Sequence, residues 1–338
     1  MSIFFYFFKK VNTHRMGGTV MGVDYLSIMP KVIPLLVLLV IGYIFKRKNF
    51  LSEITILEVK NFILNITLPA LLFTAFLDID FRVEYLVIVL IVMIINLLML
   101  YLGKKLTPFL KKEDPYLKLL FTGFEMGMLG IPLFTAIYGI DNVKYIGIID
   151  IGHEIFIWFI LVGILFKLRQ AKKSTDFKDL FRSFITSPVI IAILVGIILN
   201  IVGFADIKNT NMVAFSIMES IKLIAGLTVP LILIIIGYEM EFKTENIGLP
   251  LKIIAIRLVI LIPLALLINF FIFSNILDLT SMYNTALITM LVMPPPFIIP
   301  LFIKEEELTS RKYIFNTLSI STVISITIFI ITTFVYMG

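Results

Sequence analysis

The chain of 338 residues is 59% hydrophobic and only 15% charged, with a formal net charge of +6. A soluble globular domain carries about 25% charged residues and disordered chains are poor in Ile, Leu and Phe, so a water-soluble enzyme and a disordered polymer are both excluded. Excess Lys and Arg in so apolar a chain reports membrane orientation rather than nucleic-acid binding, and spans of about 20 residues with short turns leave room for roughly ten of them.

Residues 1–25 form a tail that does not span. Its opening run, SIFFYFFKK, is too short to cross a bilayer, and no small-residue cleavage pattern makes it a signal peptide. It reads as a disordered or functional tail, or as the product of an upstream start with initiation at Met16 or Met21. Apolar segments then predict helices at 28–45, 54–76, 84–106, 116–139, 143–168, 183–204, 211–238, 249–274, 280–303 and 312–336. Each is a long apolar run without the period-two alternation of a barrel strand.

In the second segment Asn61, Asn65 and Thr67 precede Pro69, and these polar side chains either line a solute path or hydrogen-bond between helices. The fourth segment, PYLKLLFTGFEMGMLGIPLFTAIYG, places Gly123, Gly127, Gly130 and Pro132 at mid-depth and is expected to break near Pro132. Glu125 sits about two turns earlier. A charge at that depth costs roughly 3 kcal/mol on insertion scales, so Glu125 either holds a cation or a proton, or is a structural acid bonded to a neighbouring helix. The fifth segment carries Asp150, His153 and Glu154 on one helical face, as a proton path, a sodium ligand set, or a structural cluster paired with Arg257 or Lys222. Residues 169–182 form a basic linker. The seventh segment repeats the second, with Glu219, Lys222 and Thr228 before Pro230. The ninth, TALITMLVMPPPFIIPLFI, is expected to break near Pro294, where Met293, Pro294, Pro295 and Pro296 follow one another.

The repetition extends further. Residues 65–81, NITLPALLFTAFLDIDF, align with 226–242, GLTVPLILIIIGYEMEF, at one constant offset. Gly130-Ile131-Pro132 in the first half is echoed by Met293-Pro294-Pro295-Pro296 in the second. Two halves of five spans each, 26–168 and 183–338, must enter from opposite faces, which makes them inverted repeats, a signature of secondary transporters. Breaks at the fourth helix of each half can meet near the bilayer centre, where half-helix N-termini would offer unpaired amides to an anion. Lys and Arg collect on alternate loops, at Arg47, Lys105, Lys111 and Lys173 among others, which puts those loops in the cytoplasm and both termini outside.

The absence of cysteine removes disulfides, Cys-ligated zinc, iron–sulfur clusters and thiol nucleophiles. The two histidines, His14 and His153, are too few for an all-protein catalytic zinc site. With no nucleophile, base and orienter set, no enzyme is expected.

The run Asn61 to Phe73, NFILNITLPALLF, resembles the second-helix motif of the auxin efflux carrier family, with LPALLF after an Asn-containing turn. Gly127 to Leu133 resembles that family's G-F-x-G-x-P-L segment, and Met293-Pro294-Pro295 its M-P-x segment. The resemblance covers nearly all of the chain after about residue 25. It implies a ten-helix fold shared with bile-acid sodium symporters, divided into a scaffold and a transport domain, with crossed fourth and ninth helices. It also implies movement of small organic anions across the plasma membrane, auxin in plants and malonate-like dicarboxylates in microbes. Two departures stand out: Glu125-Met126 replaces an Asn-Thr pair, and Pro296-Phe297-Ile298-Ile299-Pro300 replaces a small residue and Asn.

The expectation is therefore an all-α polytopic membrane protein of about ten transmembrane helices, arranged as two inverted five-helix repeats with helices four and nine broken and crossing. The expected activity is export of a small organic anion by alternating access, in the plasma membrane. Cation-coupled uptake through sodium or a proton at Glu125, Asp150, His153 or Glu154 is one alternative, and a sensor that binds solute without transport is another. Solute contacts are expected from Asn61, Asn65, Thr67, Glu125, Met126, Gly127, Gly130, Pro132, Thr228, Met293, Pro294, Pro295 and Pro296. Expected partners are the solute and membrane lipid, with homodimerisation left open and no cofactor beyond the coupling ion.

Overall fold

A computed structural model describes residues 25–79, 82–110, 114–169, 178, 182, 184–204, 211–239, 247–303 and 307–337. The tail and most of the basic linker at 169–182 lie outside the described residues, as do Lys111 and Lys173. Among the described residues the regular elements are all helical. In chain order they are α1 (Tyr25–Arg47), α2 (Glu53–Leu77), α3 (Glu84–Leu106), α4 (Leu117–Tyr138), α5 (Ile140–Leu165), α6 (Pro188–Ile201), α7 (Met212–Glu239), α8 (Gly248–Ser274), α9 (Ser281–Val292) and α10 (Leu308–Met337). Seven stretches, in α2, α3, α4, α5, α7, α8 and α10, are long and apolar enough to cross a membrane, whereas α6 and α9 are shorter apolar helices. Helices suit such a sequence because hydrocarbon offers no partner to a free amide or carbonyl.

Two of the long helices are interrupted just before a proline. In α2 the backbone widens into a π-turn at Ile63–Thr67, and Pro69 then sits in the first turn of Leu68–Leu77. In α7 the helix Met212–Gly226 ends, Leu227 forms a turn, and Pro230 lies in the first turn of Thr228–Glu239. Proline is tolerated there because the first amides of a helix have no intrahelical acceptor. Polar caps start both stretches: Ser52 accepts from Thr55 N–H at 3.1 Å, and Asn211 from Val213 and Ala214 N–H at 2.9 and 3.1 Å.

Packing sorts the helices into two groups. Helices α1, α2, α6 and α7 pack mainly on one another, and α3, α4, α5, α8, α9 and α10 form the second group. Contacts between the groups run from α2 to α5, from α7 to α4, and from α1 to α4 and α10.

Within the first group two glycines carry equivalent contacts. A Cβ on Gly42 of α1 would lie 1.9 Å from the carbonyl oxygen of Ile234 and 2.8 Å from the amide of Tyr238. One on Gly196 of α6 would lie 2.9 Å from the carbonyl oxygen of Phe73 and 3.4 Å from the amide of Leu77. Phe73 and Leu77 stand to Ile234 and Tyr238 as Thr67 stands to Thr228 in the sequence alignment. Each glycine lets its helix pack directly on the backbone of the broken helix of the other half, the close approach that small residues permit in membranes. Opposite Gly42, a Cβ on Gly237 would meet the Leu39 carbonyl at 2.0 Å. Asp78 and Glu239 align near the ends of the two stretches, and Glu239 pairs with Lys60 of α2. Asp80 and Glu241 lie outside the described residues.

Overpacking a tight helix contact typically costs about 1–3 kcal/mol. Gly42→Leu and Gly237→Leu should therefore each lower the thermal unfolding midpoint of the detergent-solubilised protein by several degrees. Gly248→Ala, at a position with nothing within 4 Å, should leave it unchanged. A wild-type midpoint for Gly42→Leu would show that α1 and α7 are not in backbone contact.

Candidate functional site

The interruption of α4 lies earlier than the proline suggests. A short 3-10 turn, Leu117–Phe121, ends at Thr122; residues 123–125 are non-helical, and the helix resumes as a π-turn at Met126–Gly130 and an α-helix at Ile131–Tyr138. Pro132 sits in the first turn of that last helix, where it breaks nothing. The break belongs instead to Gly123, whose φ of 69° is unfavourable for any residue with a Cβ. In α9 the helix stops at Val292, Met293 is extended, and a 3-10 turn follows at Ile299–Phe302, so the expected break at Pro294 is where the structure places it.

The two interruptions meet. Glu125 N–H donates to the Pro294 carbonyl at 2.8 Å. A Cβ on Gly123 would lie 2.5 Å from the Pro296 ring, and one on Gly130 would lie 3.3 Å from the Met293 side chain. The sequence led us to expect unpaired amides at this junction, but the protein supplies their acceptors. Gly123 N–H donates to Asn96 Oδ1 at 3.1 Å and Phe124 N–H to His153 Nε2 at 3.0 Å. Met128 N–H donates to Glu125 Oε1 at 3.1 Å, and Phe297 N–H to Glu125 Oε2 at 2.8 Å. One carboxylate thus bridges the first turns of both resumed segments. Bonds to a charged acceptor contribute roughly 1.5–3 kcal/mol each.

Arg257 of α8 caps the other side. Its guanidinium donates to the carbonyls of Leu120 at 2.9 Å, Gly123 at 3.1 Å and Met293 at 3.2 Å, and stacks 5.1 Å from the Phe124 ring centroid. It is 3% exposed. A pairing of Arg257 with the α5 acids is not made: among the described residues no carboxylate lies within ion-pair distance of it, and three of its five N–H donors go to carbonyls. Lys222, the other proposed partner, pairs with Glu219 on its own helix at 2.8 Å.

His153 is held between two groups. A backbone amide can only donate, so the bond from Phe124 makes Nε2 an acceptor, and the ring is neutral with its proton on Nδ1. That Nδ1–H faces Asp150 Oδ1 at 3.1 Å, and both side chains are 3% exposed. Glu154 Oε1 lies 3.9 Å from Nδ1, while its Oε2 accepts from Trp158 Nε1–H at 2.9 Å. The ligand atoms of Asp150, His153 and Glu154 lie within 4.8 Å of one another; with both ring nitrogens of His153 engaged, the oxygens of Asp150 and Glu154 are those that a cation or a proton could use.

The structure therefore gathers Glu125, Met126, Gly130, Met293, Pro294 and Pro296 at the junction, and brings His153 and Asp150 to it through Phe124. A Cβ on Gly127 would lie 3.6 Å from the Leu68 side chain of α2. Pro132 and Pro295 are buried beside the breaks. Four expected lining residues are not brought in. Asn61 and Asn65 are exposed on α2, where Asn65 donates to the Asn61 carbonyl at 2.7 Å. Thr67 and Thr228 are fully buried at the two interruptions of α2 and α7, and neither hydroxyl has a hydrogen-bond partner among the described residues. Sequence reasoning missed Asn96 altogether and gave Arg257 the wrong partner. A lone amide in IVMIINLLML and a lone guanidinium in an apolar helix were the available signals, since polar groups at that depth must find partners.

Compared with known families, residues 27–337 match the one described as membrane transport protein. No individual curated protein matches the sequence.

Replacing Arg257 by Met should leave three buried carbonyls without a donor, each unmet group costing about 1–3 kcal/mol. The variant is expected to lose thermal stability in detergent, with Arg257→Lys restoring only part because one ammonium cannot reproduce the planar fork. Wild-type stability for Arg257→Met would show that the guanidinium does not hold the junction together.

Proposed function

The chain belongs to the membrane transport protein family, and on that premise we propose that it is a secondary transporter that moves a small organic solute across the plasma membrane by alternating access. The solute binds at the junction of α4 and α9. The observation that carries this reading is the meeting of two interrupted helices at Glu125 N–H and the Pro294 carbonyl, because irregular backbone at membrane depth is tolerated where it packs on protein or lines a cavity.

The two five-helix halves are inverted repeats in this reading. In its support, α1 packs on α7 as α6 packs on α2, through glycines facing equivalent backbone atoms, and α3 packs on α5 as α8 packs on α10. Paired interruptions before Pro69 and Pro230, and at Gly123 and Met293, add to it. The group α1, α2, α6 and α7 then serves as scaffold and the other six helices as the moving part. The seam between them includes Gly147 of α5, where a Cβ would lie 2.7 Å from the Phe76 ring of α2. A second reading, coupling to sodium or a proton, is favoured by the convergent carboxyl groups of Asp150 and Glu154 beside His153.

Alternating access requires that seam to move. With Phe76→Cys and Gly147→Cys in this cysteine-free chain, oxidation should stop uptake into proteoliposomes of whichever probe the reduced protein carries, from a panel of acetate, malonate, methylammonium and choline. Reductant should restore it, and undiminished flux through the cross-linked protein would refute the motion. Imposing a sodium or pH gradient on the same vesicles reads out coupling, and gradient-independent uptake would dismiss it.

The proposed orientation places both termini outside and Arg47 in the cytoplasm. A single Arg47→Cys should be labelled by an impermeant maleimide only after the cells are permeabilised. Labelling in intact cells would reverse the topology.

A further inference from the structure

Resting on the proposal that the α4–α9 junction is the solute site, we propose that Glu125 is the junction's resident anion and its specificity-determining residue. Its carboxylate fills the seat that a carboxylate solute would take, so the site rejects organic anions and binds a small solute or ion carrying a single positive charge.

Three prolines in a row remove every amide donor between Met293 and Phe297, so Phe297 N–H is the first donor that the resumed ninth segment can offer. Glu125 Oε2 holds it at 2.8 Å, while Oε1 holds Met128 N–H from the fourth segment at 3.1 Å. A solute carboxylate approaching this pair would meet a like charge already using the same two bonds.

The charges around it have the same sign. Arg257 is the cation of the junction, but three of its five N–H donors are spent on the carbonyls of Leu120, Gly123 and Met293, and no carboxylate among the described residues is within ion-pair reach. His153 is neutral, because Nε2 accepts from Phe124 N–H. Asp150 and Glu154 add two further acids. Three carboxyl groups against one guanidinium leave acids in excess around the junction, which favours a cation over an anion. Glu125 is also reachable: it, Gly127, Phe297 and Ile298 are half-buried while their chain neighbours are buried.

The full chain in detergent and in proteoliposomes should bind a monovalent cation, with methylammonium and choline as the organic arm and sodium as the inorganic arm, and should not bind acetate or malonate. An organic cation would be cargo, whereas sodium alone would be a coupling ion; either result supports the assignment. Glu125→Ala frees both amides and should reverse the selectivity, losing cation affinity and gaining acetate affinity by about tenfold or more. Should that variant fail to run as a single species on size exclusion, Glu125→Gln, which replaces one of the two accepting oxygens by an NH2 donor, is expected to shift both affinities in the same directions. Acetate or malonate binding by the wild type as tight as by the variant would overturn the proposal, as would the absence of binding by all three cations. Acetate flux through the wild type would sink the charge assignment and leave the transporter reading standing. Cation binding without any flux would do the reverse.

Discussion

A backbone that leaves the helix inside a bilayer must find its hydrogen bonds within the protein, and the arrangement around α4 and α9 follows from that demand. Residues 122–125 and 293–298 lose the regular ladder. Asn96, His153 and Glu125 supply acceptors for the freed amides, and Arg257 supplies donors for the freed carbonyls. These four side chains come from α3, α5, α4 and α8, so four helices are fixed in relation to one irregular segment. Polar groups that are scarce in the sequence as a whole are concentrated where the backbone needs them.

The same demand links stability to selectivity. The carboxylate that satisfies Met128 and Phe297 N–H also sets the electrostatic character of the junction, and it does so from a position next to a left-handed glycine. A neutral amide in place of Glu125 would put an NH2 donor where one of the two accepting oxygens now stands. The departure from the auxin-carrier pattern at Glu125-Met126 is therefore a change in what holds the backbone as well as in what a solute meets.

Much of this was legible in the sequence. Long apolar runs located the helices, most of them to within a few residues, although the ninth stops at Val292, well short of the end of its apolar run. The alignment of 65–81 with 226–242 pointed to a duplication, whereas the matching interruptions of α2 and α7 were not expected from it. Proline gave the wrong site for the α4 break: Pro132 fits a first helical turn, and the interruption falls at Gly123, where backbone conformation rather than a missing amide decides. Polarity on a helix does not say which way it faces, so Asn61 and Asn65 were expected inside and lie exposed, while Asn96 and Arg257 carry the junction. Partners distant in sequence, such as Phe297 for Glu125, leave no local pattern to read.

Arg257 grips Gly123 and Met293 with the same nitrogen, while Glu125 binds Phe297 and Pro294 across the same gap. Mechanically this is a weld. Helices α4 and α9 cannot scissor about their junction without breaking several buried polar bonds at once, so in the proposed alternating-access cycle the pair travels as a single stiff part. Compliance must then reside where contacts are nondirectional, as at the greasy bearing of Gly147 against Phe76 and Leu72, over which one surface can slide on another with little change in energy.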